Sequence, residues 1–135
     1  MPASNDSTFA RAIRVGIVDD HSMVVTGLRL YFSKFPDLQV VGIAFDGYQA
    51  VLLLQQEEVD VLLLDLSMPG RSGLDVLREI KRASPDTKVV VLTGDPTAKY
   101  ELQCRQLGAQ AYLTKTTEPL AIVQAIRAAA GRHSH

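Results

Sequence analysis

The sequence predicts a doubly wound α/β domain, in which helices cover both faces of a parallel β-sheet. Short apolar runs alternate with segments of helical periodicity along the chain, as in successive strand-helix-strand units. Residues 61–64 are apolar without interruption, as in a parallel strand buried on both faces. Most of the apolar runs end on acidic, hydroxyl or basic residues, and open α/β sheets bind ligands at the carboxyl ends of their strands. We therefore expect a functional site at that edge of the sheet.

The composition fits a single globular domain. The chain has 135 residues, 47% of them apolar, which suffices for one hydrophobic core. A formal net charge of −1 creates no overall field for nucleic acid, so we do not expect this chain to bind DNA directly. No apolar run has the length of a membrane span, and residues 1–10 lack the apolar core of a signal peptide. The single cysteine, Cys104, is expected to be a small buried residue and suits a cytoplasmic protein without disulfides.

The first 45 residues predict a strand, a helix and a second strand. Residues 14–18 are rich in β-branched side chains and end on two acids, Asp19 and Asp20. Residues 21–35 have helical spacing, and residues 38–45 form the next β-rich run. The apolar stripe of this first helix consists of Val24, Leu28 and Tyr31.

The middle of the chain predicts the second helix, the central strand and the third helix. Residues 48–57 are apolar on one helical face, and the strand over residues 61–64 then ends on Asp65. A loop at residues 69–73 leads into the third helix, which stops at Ser84-Pro85. Its apolar face contains Leu74, Leu77 and Ile80. Asp65 meets the crevice at the strand end, although an Asp there could instead serve only as a turn cap.

The last third of the chain predicts two more strand-helix units. Residues 89–92 form the fourth strand, and residues 97–107 form a more polar helix whose weak pattern suggests mobility. Residues 111–114 form the fifth strand, and a proline in the first turn begins a helix over residues 119–130. We expect its core stripe to be Leu120, Val123 and Ile126. Its apolar surface extends further over Ile122, Ala125, Ala128 and Ala129, which indicates association unless the alanines simply lie exposed.

The flavodoxin-like strand order 2-1-3-4-5, with five helices, is the natural topology for this pattern. It brings Asp19, Asp20 and Asp65 to one crevice, with Thr93 and Lys115 at its rim. Three neighbouring carboxylates repel one another unless they share a cation, and oxygen ligands of this kind suit Mg²⁺. A carboxylate nucleophile, a divalent ion and an ammonium are the components of aspartyl phosphate chemistry. The competing interpretation is a set of solvated surface acids, one of them paired with Lys115.

Four motifs together resemble the receiver domain of two-component response regulators, over about residues 13–130. They are Val-Gly-Ile-Val-Asp-Asp-His at 15–21, Leu-Asp-Leu-Ser-Met-Pro-Gly at 64–70, Leu-Thr-Gly at 92–94 and Gly-Ala-Gln-Ala-Tyr-Leu-Thr-Lys at 108–115. The resemblance implies that Asp65 is the phosphoacceptor, that Asp20 binds Mg²⁺ directly and that Asp19 does so mainly through water. It also implies that Ser67 gives its backbone carbonyl to the metal, which leaves its side chain to tune dephosphorylation.

The same resemblance implies a conformational switch. Thr93 would supply the hydroxyl that moves to the phosphoryl group, and Tyr112 the aromatic ring that then turns inward. Lys115 would bind the phosphoryl group, and Gly94 would keep space beside it. Without the resemblance, Thr93 is equally a β-branched strand terminus and Tyr112 an edge aromatic.

The chain departs from the family pattern at two positions. Thr116 follows Lys115 where many receivers have proline after a cis peptide, so a cis bond here would form without proline at a cost of about 3 kcal/mol. Ala111 stands where relatives often have glycine. The first and last motifs most resemble NarL/FixJ-type regulators, whose receivers precede a LuxR-type helix-turn-helix domain.

The implied function is to accept a phosphoryl group from a histidine kinase and to control an output, which we expect to be transcription. Such a chain catalyses only its own phosphotransfer and dephosphorylation, could form a phosphorylation-dependent homodimer, and would reach DNA only through a domain absent from residues 1–135. On this view residues 1–12 are a disordered tail, 13–130 the receiver and 131–135 the start of a linker or tail. The alternative is a free-standing receiver that docks onto a partner through its last two helices and fifth strand.

Two other classes share parts of this pattern. A magnesium-dependent phosphatase of the haloacid dehalogenase type also uses a strand-end Asp, but it wants a second acid where Ser67 stands. A flavodoxin-like module for a flavin or nucleotide needs a Gly- or Ser/Thr-rich phosphate loop after the first strand. The acids Asp19 and Asp20 would repel a phosphate there in the absence of a metal.

Overall fold

A computed structural model describes residues 11–67, 72–94 and 98–132 of the chain. Its five parallel strands are arranged in the order β2-β1-β3-β4-β5, which confirms the predicted flavodoxin-like fold. The strands are β1 Ile13–Val18, β2 Leu38–Ala44, β3 Val61–Asp65, β4 Lys88–Thr93 and β5 Ala109–Thr114. The helices are α1 Ser22–Phe32, α2 Gly47–Gln56, α3 Gly73–Ala83, α4 Ala98–Gln106 and α5 Pro119–Ala129. Most of the predicted N-terminal tail, residues 68–71 of the loop after β3, residues 95–97 and residues 133–135 lie outside the described residues.

The prediction for the first helix was wrong in its end and in its buried stripe. α1 ends at Phe32 rather than at residue 35, because the backbone N–H groups of Lys34 and Phe35 bond the carbonyls three residues back instead of four. Val25 and Phe32 are the buried residues, seven positions apart on one face, whereas Val24 and Tyr31 flank that face and are only partly buried. The hydrophobic spacing predicted the helix but not its rotation.

The last helix is also rotated relative to the prediction. Ile122, Val123 and Ile126 are buried against the sheet, while Leu120 lies in the first turn with 47% of its surface exposed. Leu120 is therefore a surface residue, and Ile122 belongs to the core. The fifth strand begins at Ala109, two residues earlier than predicted, because a register shift between Val89 and Val90 allows an additional pair with β4.

The sheet separates two hydrophobic cores, as expected when helices cover both faces. Helices α2, α3 and α4 cover one face, where the helical contribution includes Ala50, Leu53, Val76, Leu77, Ile80 and Cys104. Helices α1 and α5 cover the other face, where the helical contribution is Val25, Phe32, Ile122, Val123 and Ile126. Cys104 is fully buried, as predicted, and burial raises the pKa of its thiol. No helix in the described ranges is long and apolar enough to cross a membrane.

Candidate functional site

The registers of the sheet bring the predicted site residues together at its carboxyl edge. Val18 of β1 pairs with Leu64 of β3, so the acids that follow each of them, Asp19 and Asp65, stand side by side. On the other side of β3, Asp65 pairs with Leu92 of β4, the residue before Thr93. Parallel strands that end at the same level place their last side chains in one crevice.

Asp65 is almost fully buried, with 1% of its surface exposed, and both of its carboxylate oxygens are held. The backbone N–H of Ser67 donates to Oδ1 at 2.8 Å, which is the local turn geometry of an Asx residue. The ammonium of Lys115 donates to Oδ2 at 3.0 Å. The carboxylate is therefore held in place, with one oxygen fixed by the turn and the other beside a cation.

Asp19 is equally buried but is only half satisfied. Its Oδ1 accepts a 2.8 Å hydrogen bond from the backbone N–H of His21. Its Oδ2 is buried and accepts no hydrogen bond from any residue that the structure describes, although Lys115 Nζ lies 3.5 Å away. A buried carboxylate oxygen without a hydrogen bond is costly unless a cation binds it. Asp20, whose side chain is 30% exposed, completes the acidic cluster.

The cluster fits a divalent metal ion. Ligand atoms of Asp19, Asp20, His21 and Asp65 lie within 4.8 Å of one another. Three carboxylates against the single ammonium of Lys115 leave an excess of negative charge, and carboxylate oxygens are the ligands that hard cations such as Mg²⁺ prefer. The fit therefore rests on the acid cluster together with the unsatisfied Asp19 oxygen.

His21 is part of this cluster, although the sequence analysis gave it no role of its own. Its Nδ1 lies 2.9 Å from Asp19 Oδ1 and 3.1 Å from Asp20 Oδ1. The same nitrogen is 3.2 Å from Lys115 Nζ. The sequence did contain one indication of such a role, since a side chain that can bind metal directly follows two acids. The sequence does not indicate, however, whether that side chain contacts the acids.

The residues predicted for the switch lie at or near the carboxyl ends of β4 and β5. Thr93 is buried at the end of β4, and its carbonyl accepts a 2.8 Å hydrogen bond from the backbone N–H of Lys115. Gly94 is exposed, and among the described residues other than its chain neighbours only Ser67 Oγ comes as near as 4.0 Å to the position of an added Cβ. Tyr112 is partly buried and packs against the core under α2, α3 and α4. Thr93 therefore lies at the crevice, whereas Tyr112 packs against that core.

The Lys115–Thr116 peptide and the Ser67 carbonyl were the two remaining features of the predicted site. The Lys115–Thr116 peptide is trans, as are all other described peptide bonds, so the cis bond considered above is not formed. The Ser67 carbonyl as a metal ligand stays a prediction, whereas the Ser67 side chain is exposed and lies 3.5 Å from the backbone nitrogen of Gly94.

Comparison with known proteins shows the family of the chain. The profile of the response regulator receiver domain matches residues 15–127. The transcriptional regulatory protein LiaR of Bacillus subtilis is 39% identical over 117 residues, which cover 87% of this chain and 56% of LiaR. The chain spans about half the length of the curated relatives it matches.

Solved structures agree as well. A two-component response regulator of the LuxR family from Aurantimonas sp. superposes with a TM-score of 0.83 at 31% identity, covering 92% of this chain and 89% of that one. RcsB from Salmonella enterica, solved on the promoter rprA with the phosphomimetic BeF3⁻, gives a TM-score of 0.79 at 28% identity, covering 86% of this chain and 66% of RcsB. The sheet order, the acidic crevice and these matches lead to one conclusion: the chain belongs to the response regulator receiver domain family.

Proposed function

We propose that this domain accepts a phosphoryl group on Asp65 in a Mg²⁺-dependent reaction. The observation that carries the proposal is the pairing of a buried Asp65 with Lys115 Nζ at 3.0 Å, next to an Asp19 oxygen that lacks a hydrogen bond. The two competing interpretations, a turn cap and a solvated surface acid, do not explain why Asp65 is buried next to an Asp19 oxygen that is also buried and lacks a hydrogen bond. Aspartyl phosphate chemistry needs both a nucleophile and a place for a cation.

The reaction is the transfer of a phosphoryl group from a donor to an acceptor, Asp65. A carboxylate oxygen of Asp65 attacks the phosphorus of the donor, and the bond from phosphorus to the donor breaks, with its electron pair leaving on the donor atom. For a histidine kinase that atom is an imidazole nitrogen, and for acetyl phosphate it is an oxygen. Lys115 neutralises charge on the phosphoryl oxygens. Mg²⁺, held by Asp19, Asp20, Asp65 and the Ser67 carbonyl, would add electrostatic stabilisation of the same oxygens.

The chain's own residues then turn phosphorylation into a conformational change. The new phosphoryl oxygens are acceptors, and the Thr93 hydroxyl at the end of β4 is the donor that we expect to move toward them. That movement would leave space that favours an inward Tyr112. Gly94 has no side chain to obstruct the approach, and among the described residues other than its chain neighbours the atom nearest to an added Cβ is Ser67 Oγ, at 4.0 Å. Helix α4, between these two strands, is the element we expect to shift.

We further propose that the output is transcription, through a DNA-binding domain outside this sequence, and that the kinase and the chain meet in the cytoplasm. The support is the length of the curated relatives, of which this chain covers about half, and the RcsB structure on a promoter. The alternative hypothesis is a free-standing receiver that signals by docking onto a partner protein. Sequencing the parent gene beyond residue 135 separates the two, because only the first requires a continuing open reading frame.

The acceptor is tested by incubating the protein with acetyl phosphate and Mg²⁺ and measuring its intact mass. We expect wild type to gain the mass of one phosphoryl group and Asp65→Asn to gain none, because an amide is not a nucleophile. Asp75→Asn is the matched control, since Asp75 is an exposed acid on α3 that pairs only locally with Arg78 in the described structure. Stoichiometric phosphorylation of a folded Asp65→Asn protein would show that another residue is the acceptor.

A further inference from the structure

The ring nitrogen Nδ1 of His21 has neighbours that no single proton arrangement satisfies. The carboxylate oxygens of Asp19 and Asp20, at 2.9 and 3.1 Å, are acceptors. The ammonium of Lys115, at 3.2 Å, is a donor. A ring nitrogen carries either a proton or a lone pair, so it opposes either the ammonium or the carboxylates. A cation shared by the nitrogen and the carboxylates would remove the conflict.

The distances around Nδ1 resemble those between the ligands of one ion. Ligand atoms about 2.1 Å from an octahedral ion are about 3.0 Å apart when adjacent and about 4.2 Å when opposite. Nδ1 stands at the adjacent spacing from the oxygens of Asp19 and Asp20. It lies 3.8 Å from Asp65 Oδ2, between the two values. His21 and the three acids could therefore bind one ion without a large rearrangement.

A second observation points to a bound cation independently of His21. The side chain of Asp19 is 2% exposed, and its Oδ2 has no hydrogen bond within the described part of the chain, with Lys115 Nζ 3.5 Å away. It is the second oxygen of the carboxylate whose Oδ1 lies beside His21 Nδ1. His21 is free to serve as a ligand, because it is the N-cap residue of α1 but its side chain makes no capping hydrogen bond. The helix does not require the imidazole to stay where it is.

We propose that His21 is a nitrogen ligand of the metal site and gives it affinity for first-row transition metal ions as well as for Mg²⁺. The proposal rests on the proposed function, because it assumes that the same carboxylates hold a divalent ion. Mg²⁺ prefers oxygen ligands and keeps its waters, so it gains little from imidazole. Co²⁺ and Mn²⁺ accept a mixed set of carboxylates and imidazole, and a nitrogen ligand selects for Co²⁺ over Mg²⁺.

The test compares metal affinities by isothermal titration calorimetry with Mg²⁺ or Co²⁺ alone. All proteins carry His133→Ala and His135→Ala, because these two histidines near the C-terminus would also bind Co²⁺. We expect His21→Ala to weaken Co²⁺ binding by about tenfold or more, the size of effect that loss of even an outer-shell partner produces. Mg²⁺ binding should change by less than about twofold. His21→Asn, which retains a good N-cap residue, should behave like His21→Ala.

Pulsed electron paramagnetic resonance of bound Mn²⁺ gives a second readout. Coupling to an imidazole nitrogen is expected in the protein with His21 and should disappear in both His21 variants. Asp20→Ala should weaken the binding of all three ions, because it removes a shared oxygen ligand. Equal Co²⁺ affinity with and without His21, or a nitrogen signal that persists, would overturn the His21 proposal alone. A protein that retains His21 but binds neither Mg²⁺ nor Co²⁺ would overturn the metal-dependent proposed function as well.

Discussion

At the scale of single residues, Lys115 supplies the positive charge that partly neutralises the acids of the site. Its ammonium lies 3.0 Å from Asp65, 3.5 Å from Asp19 and 3.2 Å from His21, so one cation faces two buried acids. A phosphoryl group on Asp65 would add negative charge beside the same ammonium. We therefore expect the neighbours of Lys115, rather than distant loops, to respond first.

Thr93→Ala tests that response. The variant should be phosphorylated like wild type, because it retains Asp65 and Lys115, but it lacks the hydroxyl that would bond the phosphoryl oxygens. Backbone amide spectra of residues 94–115, recorded with and without Mg²⁺ and beryllofluoride, should shift in wild type and change little in the variant. Thr93→Ser, which retains a hydroxyl, is the control and should shift like wild type. A complete wild-type shift in Thr93→Ala would exclude the proposed coupling.

At the scale of elements, an ion pair ties α5 to the turn before β2. Arg127 donates to Asp37 through two nitrogens, Nε to Oδ2 at 2.7 Å and Nη2 to Oδ1 at 3.0 Å. The guanidinium also lies over the Phe35 ring, 5.3 Å from its centre. These hydrogen bonds, together with the positive charge, lower the pKa of the Asp37 carboxyl below its usual value, although partial burial opposes them.

The Asp37 pair should contribute a pH-dependent stability. Because the folded-state pKa is lowered, the contribution is complete above the unfolded-state value of about 3.9 and is lost as the pH falls through the folded-state pKa. We expect Asp37→Asn to lower the free energy of unfolding by about 1 kcal/mol at pH 7, and the difference from wild type to shrink below about pH 4. Denaturant titrations between pH 7 and pH 3 measure both.

Asp75→Asn is again the matched control, because the Asp75–Arg78 pair is more than half exposed on both sides. Exposed pairs of this kind contribute little, so its effect should be close to zero at both pH values. A difference between wild type and Asp37→Asn that is independent of pH would contradict the electrostatic account.

Two glycines in helices have opposite surroundings, which gives a paired prediction. An added Cβ on Gly73, the first residue of α3, would lie 2.8 Å from the backbone oxygen of Leu66, which cannot move freely. An added Cβ on Gly27, inside α1, would have no atom of the described residues within 4 Å beyond its chain neighbours and the backbone of its own helix. We expect Gly73→Ala to destabilise the fold by about 1–3 kcal/mol and Gly27→Ala to stabilise it by about 0.5–1 kcal/mol. Thermal unfolding of both variants is the measurement, and equal signs would contradict the packing argument.

At the scale of the whole molecule, an exposed groove leads from the site to the surface of α1 and α5. Its lining includes Met23, Leu28 and Tyr31 from α1, Pro119 from α5, and Lys115 from the site. Met23 is 87% exposed, which is high for a large apolar side chain. A surface that contains Lys115 can change when Lys115 binds a phosphoryl group.

We expect phosphorylation to shift this chain from monomer toward dimer through that groove. Light scattering with Mg²⁺, with and without beryllofluoride, should show a larger mean mass only when both are present. Met23→Ser should reduce the shift. Tyr48→Ser, on an exposed aromatic residue of α2, should leave it unchanged. A monomer mass at high concentration in the presence of beryllofluoride would exclude the dimer.

Hydrophobic pattern and turn residues were sufficient to predict the fold and the edge of the sheet at which the polar strand ends lie. The unbroken apolar run before Asp65, the alternation of strands and helices and the polar strand ends predicted the strand order, because few topologies allow short right-handed crossovers. That order brings Asp19, Asp65, Thr93 and Lys115 to one edge whatever the details of packing. The motif resemblance agreed with the same residues.

Only the tertiary structure decided which faces of the helices turn inward and which side chains of the site meet. The rotation of α1 and of α5 depends on how they pack on the sheet, so periodicity alone selected Tyr31 and Leu120 where Phe32 and Ile122 are buried. The unsatisfied oxygen of Asp19 and the contact between the half-exposed His21 ring and the acids follow from side-chain rotamers at the strand ends. Backbone topology is set by short-range patterns along the chain, whereas such contacts depend on atoms brought together from distant segments.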